Sequence, residues 1–156
     1  MTLSMTRWTL AGCMALVAGA GVAWATPNSG LTTTILTGPV VLDGIDLKSN
    51  TDAHKAMIKT WGASDVYVVH NRIAPGGHTG WHSHPGLSFV SVKSGTATEY
   101  HGDDPGTPHV YAAGAGFVEE AGGVHIIRNE GAADLELVAF QLLPHGAVRR
   151  TDEQAP

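Results

Sequence analysis

The stretch GWHSHPG, residues 80–86, sets two histidines one residue apart between glycines and includes a proline just before its last glycine. In an extended strand, residues i and i+2 face the same way with α-carbons roughly 6.6 Å apart, so His82 and His84 project side by side from one face. A helix would need a spacing of four for the same effect, and Pro85 with the flanking glycines argues against helix. Two imidazoles so placed can converge on one ion, and they need a third ligand from elsewhere in the chain. His125, in AGGVHIIRN (residues 121–129), follows a tight glycine turn at the head of an apolar strand and is the candidate.

Outward from these residues the text from 64 to 144 alternates β-branched or aromatic runs with turns. The runs are DVYVVHNRIA, LSFVSVK, TATEYH, HVYAA, FVEE, VHIIRNE and LELVAFQLL, separated by clusters rich in Gly, Pro and Asp. So many short strands in so little chain predict an all-β sandwich or barrel. LELVAFQLL is apolar at both parities and predicts a strand covered on both faces. Ahead of the barrel, LTTTILTGPVVL (residues 31–42) reads as one or two short strands, and TDAHKAMIKTW (residues 51–61) as a short helix. The expected organisation is an extension over 26–60, a barrel over 61–145, and a polar tail over 146–156 that frays after Pro144.

The motifs resemble those of the cupin superfamily, small β-barrels of the double-stranded β-helix or jelly-roll type. The first motif of that family runs G, five residues, H-x-H, three or four residues, E, six residues, G. This chain supplies Gly76, His82, His84, Ser88 where glutamate would stand, and Gly95. The second runs G, five residues, P-x-G, two residues, H, three residues, N. Here it is Gly114, Glu120 in place of proline, Gly122, His125 and Asn129. The resemblance implies that His82, His84 and His125 bind a divalent metal inside the barrel: zinc, manganese, iron, copper or nickel. It also implies a homodimer in which the 31–42 strand crosses to a partner barrel. The bland alternative is an empty barrel whose histidines are only hydrogen-bonded.

Ser88 is the one departure from the ligand pattern. A serine hydroxyl is a poor ligand at neutral pH, so the expected donor set is three neutral imidazoles, leaving a bound ion its full +2 charge and a stronger pull on an anionic substrate. Three-histidine iron centres of thiol-oxidising cupins look like this, and a dioxygenase is one analogy. Glu99, Glu119 and Glu120 are the carboxylates able to restore the missing charge. Their facing is undecidable from sequence, because the turn at residues 121–123 breaks the parity count from His125. Arg72 is a candidate for meeting a carboxylate substrate, whereas Arg128 should point away from His125. Tyr100 reads equally as a pocket hydroxyl or a core aromatic. Phe89, Phe117, Phe140 and Trp81 read as packing. His78, His101 and His109 read as ordinary exposed histidines, with His78 able to line the entrance.

Composition narrows the partners. The 156-residue chain has a formal net charge of −5, and its longest basic run is Arg149-Arg150, which gives nucleic acid nothing to grip. Residues 1–25 carry Arg7 as their only charge, an apolar stretch, and Ala23-Trp24-Ala25 ahead of Thr26-Pro27, as an export signal with a small-residue cleavage site does. An uncleaved anchor and a lipid-anchor box at residues 10–13 are the other readings of that segment. Removal at Ala25 predicts a periplasmic or secreted protein with no membrane attachment. Cys13 is the only cysteine, so the remaining chain has no disulfide and must build any metal site from histidine, carboxylate or backbone oxygen. Three functions follow as expectations: an exported metalloenzyme (dioxygenase, lyase or isomerase) on a small organic substrate, a non-catalytic module that holds a ligand or ion, and a metal-free structural barrel.

Overall fold

The computed structural model describes residues 25–156, so the expected export signal lies outside the described residues except for Ala25. Every helix or strand element among them is a strand. In chain order these are β1 (Ser29–Leu42), β2 (Asp46–Asn50), β3 (Lys55–Lys59), β4 (Ser64–His78), β5 (His82–Ser83), β6 (Leu87–Ser94), β7 (Thr96–His101), β8 (Asp104–Ala112), β9 (Gly116–Glu119), β10 (His125–Arg128), β11 (Leu135–Pro144) and β12 (Thr151–Asp152). Ten of them join in one antiparallel sheet that bends into a nearly closed barrel, as the sequence predicts, while β2 and β3 form a separate hairpin. Among the described residues no helix is long and apolar enough to cross a membrane.

The long strand β4 organises the barrel. It pairs with β1 on one edge, with β11 on the other, and at its end sets His78 opposite Arg128 of β10. From there β11 pairs with β6, β6 with β9, and β10 with both β7 and β5. Ile73, Val90, Val92, Ala97, Ile127, Leu135, Leu137 and Ala139 fill the interior from five of these strands, and Tyr111 stacks on Phe117 at 4.4 Å beside them. Each of the valine, leucine and isoleucine side chains among them contributes ~1.5–3 kcal/mol when fully buried.

Three expectations are corrected. First, β11 is not covered on both faces: Leu135, Leu137, Ala139, Gln141 and Leu143 are buried, while Phe140 is 42% exposed beside Phe89 on the outer face, ring centroids 6.2 Å apart. The polar Gln141 is thus an interior residue. Second, residues 51–61 form no helix. Thr51 N donates to the His54 carbonyl and His54 N to Thr51 Oγ1, a turn that folds β3 back on β2 with Leu47 opposite Ile58. A helix of that length is below the ~12–15 residues at which nucleation is repaid, and the hairpin ladder wins.

Third, the tail does not fray. Beyond Pro144, His145 Nδ1 meets Asp65 Oδ1 at 2.7 Å and Gly146 N donates to Asp65 Oδ2 at 2.9 Å. The chain then runs back to pair β12 with β5, Thr151 opposite Ser83 and Asp152 opposite His82. Glu153 N donates to the Trp81 carbonyl, Thr26 N donates to the Glu153 carbonyl, and Ser83 Oγ donates to Glu153 Oε1. A polar segment is ordered here because its backbone donors and acceptors find partners on and beside the short strand β5, which carries His82 and leads directly into His84.

Candidate metal centre

The glycines around His82 and His84 let two chain segments pass close to β5. Gly80 has φ of +72°, a conformation L side chains avoid, and a Cβ there would run into the Thr26 carbonyl. A Cβ at Gly86 would collide with the Leu142 carbonyl. Between these contacts His82 and His84 turn inward and are buried, with ring centroids 4.9 Å apart. His125 lies directly opposite His82 in the β5–β10 pair, its ring centroid 4.2 Å from that of His82 and 5.6 Å from that of His84. The trio expected from two separate motifs therefore meets in one place.

Each ring is held through the same nitrogen. Nδ1 of His82 contacts the Gly80 carbonyl at 2.9 Å, that of His84 the Arg149 carbonyl at 2.8 Å, and that of His125 the Gly123 carbonyl at 3.0 Å. A carbonyl oxygen only accepts, so each Nδ1 carries the proton and donates it. In the neutral ring that leaves the Nε2 lone pair free, the arrangement by which outer partners set a metal-binding tautomer.

The carboxylate absent from position 88 comes from the neighbouring strand. Glu119, at the end of β9, stands opposite Ser88 of β6, and it is buried with Oε1 3.2 Å from His125 Nε2 and Oε2 3.5 Å from His84 Nε2. One donor atom from each of His82, His84, Glu119 and His125 lies within 4.8 Å of every other. Two ligands on opposite sides of one ion at ~2.2 Å are ~4.4 Å apart, so small side-chain adjustments bring all four onto a single cation. Of the three carboxylates left open by the sequence, Glu119 is the one that joins the three imidazoles in a group able to hold a metal ion, and as a ligand it would reduce the charge of a bound M²⁺ to +1. Glu99 is also buried but sits 3.4 Å from His101, and Glu120 is exposed.

Ser88 is fully buried in a polar row that crosses three strands. Gln141 Nε2 donates to Ser88 Oγ at 3.0 Å, Gln141 and Ser88 are paired across β11–β6, and Arg149 Nη1 donates to Gln141 Oε1 at 3.1 Å. A glutamate at 88 would enter the volume Glu119 occupies.

Electrostatics agrees with a cation-binding role. Burial, aided by the charges of His125, Arg150 and His84, holds His82 well below the usual histidine range. Burial also lowers His84, against the opposing pull of Glu119. Burial alone would raise Glu119, but its contacts with His125, His84 and Ser88 outweigh that and hold it below the usual carboxylate range. For His125 burial is likewise outweighed, here by the Glu119 carboxylate, and the ring is held above its usual value. His125 Nε2 is buried without an aligned hydrogen-bond partner despite the nearby carboxylate oxygen. An imidazole lone pair and an anionic oxygen at that distance require a positive species between them, a proton or a metal ion. The residues present fit a metal.

Two cavities reach the cluster. One of about 190 Å³ lies inside the barrel against His82, His84 and Glu119; the other, about 710 Å³, opens beside Glu99, His101, Glu119 and His125. Other expected residues lie elsewhere. Arg72 is exposed and its Nε donates to Asp134 Oδ2 at 2.8 Å on the barrel surface, so it meets no lumen ligand. Arg128 faces out over the Tyr100 ring at 4.9 Å, and Tyr100 Oη donates to Glu130, which removes it from the pocket. Trp81 is buried as packing. His78 Nδ1 accepts from Gly80 N at 3.1 Å, and His101 rests on His109 with ring centroids 4.9 Å apart. Asn129, the last motif residue, is structural: its side chain donates to the Ile73 and Ala133 carbonyls and accepts from Gly131 N. The residues missed from sequence are Arg149 and Arg150, which line the inner cavity from the tail. The only signal for them was the basic pair itself.

Residues 69–140 match the Cupin_2 family, described as Cupin domain. Among solved structures the chain is similar to an uncharacterized conserved protein with a double-stranded β-helix domain from Klebsiella pneumoniae, at 24% identity over 72% of this chain and 86% of that one, TM-score 0.50. It is similar to a cupin domain from Bordetella pertussis at 17% identity over 78% and 100% of the two chains, TM-score 0.50. The polyketide cyclase RemF from Streptomyces resistomycificus shares 15% identity over 85% and 82%, TM-score 0.54. No curated protein matches the sequence. At these identities the solved structures speak to the fold alone. The match over residues 69–140, the two histidine motifs and the barrel support placing the chain in the cupin superfamily.

Proposed function

We propose that the chain binds one divalent transition metal, among zinc, manganese, iron, copper and nickel, through His82, His84, Glu119 and His125, and acts as an exported metalloenzyme on a small anionic organic substrate. One observation carries the metal assignment: three imidazoles have their Nδ1 protons held by carbonyls while a buried, unpartnered Nε2 of His125 faces the Glu119 carboxylate. Bound there, the ion supplies Lewis-acid polarisation of a substrate oxygen and, for a redox-active metal, electron transfer. The chain itself fixes the ring orientations through the carbonyls of Gly80, Gly123 and Arg149, and offers the Glu119 carboxylate as an anionic donor. Val90, Ile127 and Leu137 give the inner cavity an apolar stretch of wall. We place the reaction among oxygen insertions, eliminations and isomerisations.

The donor count supports a second reading. Four protein ligands close a tetrahedral zinc site, and a zinc-loaded barrel would then be a non-catalytic module that holds an ion or ligand. Manganese or iron, with six positions, keeps two open. Metal-loaded protein screened with small organic acids and thiols separates the two, by oxygen uptake and product formation. Turnover abolished by chelation supports the enzyme; ligand binding without turnover in every metal form supports the module.

Export rests on residues 1–25, and N-terminal sequencing of periplasmic material beginning at Thr26 is its test. The homodimer rests on the apolar residues Ile35, Leu36, Val40 and Val41, which β1 leaves exposed.

A further inference from the structure

We propose that Arg149 is the anion-binding residue of the inner cavity, and that the ligand class is a small carboxylate held between this guanidinium and the metal position. The inference deepens the metal-centred reading and rests on it for the second contact of the anion. Arg149 lies outside the matched domain, on the tail segment that β12 returns to β5, and it is half-buried. Its backbone carbonyl fixes His84, so the position of its side chain is tied to that of a ligand. Its Nη1 donates to Gln141, and among the described residues it makes no salt bridge.

The two arginines of the cavity are not equivalent. Arg150 is occupied: its Nε donates to Asp152 Oδ1 at 2.8 Å and its Nη2 to the Thr79 carbonyl at 2.7 Å, clamping the tail to the barrel. Arg149 is a half-buried cation that, among the described residues, has no carboxylate within salt-bridge distance. A guanidinium of this kind presents parallel N–H donors that match a carboxylate in bidentate fashion. The cavity of about 190 Å³ equals the share of about six waters at ~30 Å³ each, and its wall carries Leu31, Val90 and Leu137. Those three side chains offer a short carbon skeleton apolar contacts that an inorganic oxyanion cannot use.

The test is calorimetric binding of acetate, oxalate, malonate and inorganic phosphate to metal-loaded protein, and to Arg149→Gln and Arg149→Lys. The expected result is a carboxylate that binds at least 10-fold more tightly than phosphate, a loss of 10-fold or more in Arg149→Gln, and a smaller loss in Arg149→Lys, with metal content unchanged in both. Three results overturn the proposal: no carboxylate bound by loaded wild type, phosphate bound as tightly as the best carboxylate, or affinities unchanged in the variants. Should Arg149→Gln not fold, Arg149→Lys decides alone, unchanged affinity counting against the proposal. Metal content measured in parallel keeps the two readings apart: a metal-free barrel that still binds carboxylate through Arg149 contradicts the metal assignment, and a loaded barrel indifferent to Arg149 contradicts the anion site.

Discussion

Glu119 stands directly opposite Ser88 across the β6–β9 ladder, and its carboxylate lies within 3.5 Å of two histidines from separate motifs. The residue that the first motif ordinarily supplies at position 88 is thus delivered by the adjacent strand. Directly opposed residues in an antiparallel pair share a face with Cβ atoms ~4.5–5.5 Å apart, so either position can present a carboxylate to the same point.

This relationship predicts a rescue. Glu119→Ser should weaken metal binding by at least the ~10–100-fold that loss of a supporting partner costs. Ser88→Glu combined with Glu119→Ser should restore much of it, measured by competition with a chromogenic chelator. Ser88→Glu alone crowds two carboxylates into one buried volume and should lower thermal stability. A double variant as weak as Glu119→Ser would contradict the shared position.

The returning tail predicts that truncation after Pro144 disturbs the centre as well as stability. It removes the Arg149 carbonyl from His84 and the Glu153 backbone bonds to Thr26 and Trp81. At ~0.5–1.5 kcal/mol per hydrogen bond the loss is a few kcal/mol, or about 5–10 °C in Tm for a chain of this size. Scanning calorimetry with metal analysis checks both, and a truncated chain with wild-type metal content would show the tail to be dispensable.

Gly80→Ala introduces a Cβ at positive φ and against the Thr26 carbonyl. The backbone penalty alone is ~1–2 kcal/mol. Reduced Tm together with reduced metal occupancy is expected, since the carbonyl of Gly80 itself orients His82.

Acid dependence should appear at Asp65, whose side chain accepts from His145 and from Gly146 N and is held below the usual carboxylate value, first by the His145 hydrogen bond. A depressed folded pKa gives stability that is complete above the unfolded value near ~3.9 and disappears as pH falls through the folded value. Asp65→Asn should therefore lower Tm at pH 7, and the gap from wild type should narrow toward pH 3. A gap independent of pH would remove the charge from the explanation.

The histidine trio was legible because i, i+2 spacing and a glycine turn are local features. Glu119 was only one of three open candidates, because its facing depends on the β6–β9 register, a pairing of distant segments across a turn that erases parity. Arg149 and Arg150 were invisible as site residues for a similar reason: a polar tail after a proline gives no sign that it will return to pair with a two-residue strand. The hairpin at 46–59 was misread because the lysines and apolar residues of 55–59 fit either period over so short a run. In β11 the apolar side chains at both parities concealed that Gln141 faces inward and Phe140 outward.

The most direct measurement is elemental analysis of purified protein after reconstitution, wild type beside His125→Ala. The account predicts close to one first-row transition metal per wild-type chain and nearly none in the variant, with both folded by circular dichroism. A metal-free wild type, or equal metal content in the two proteins, would contradict it.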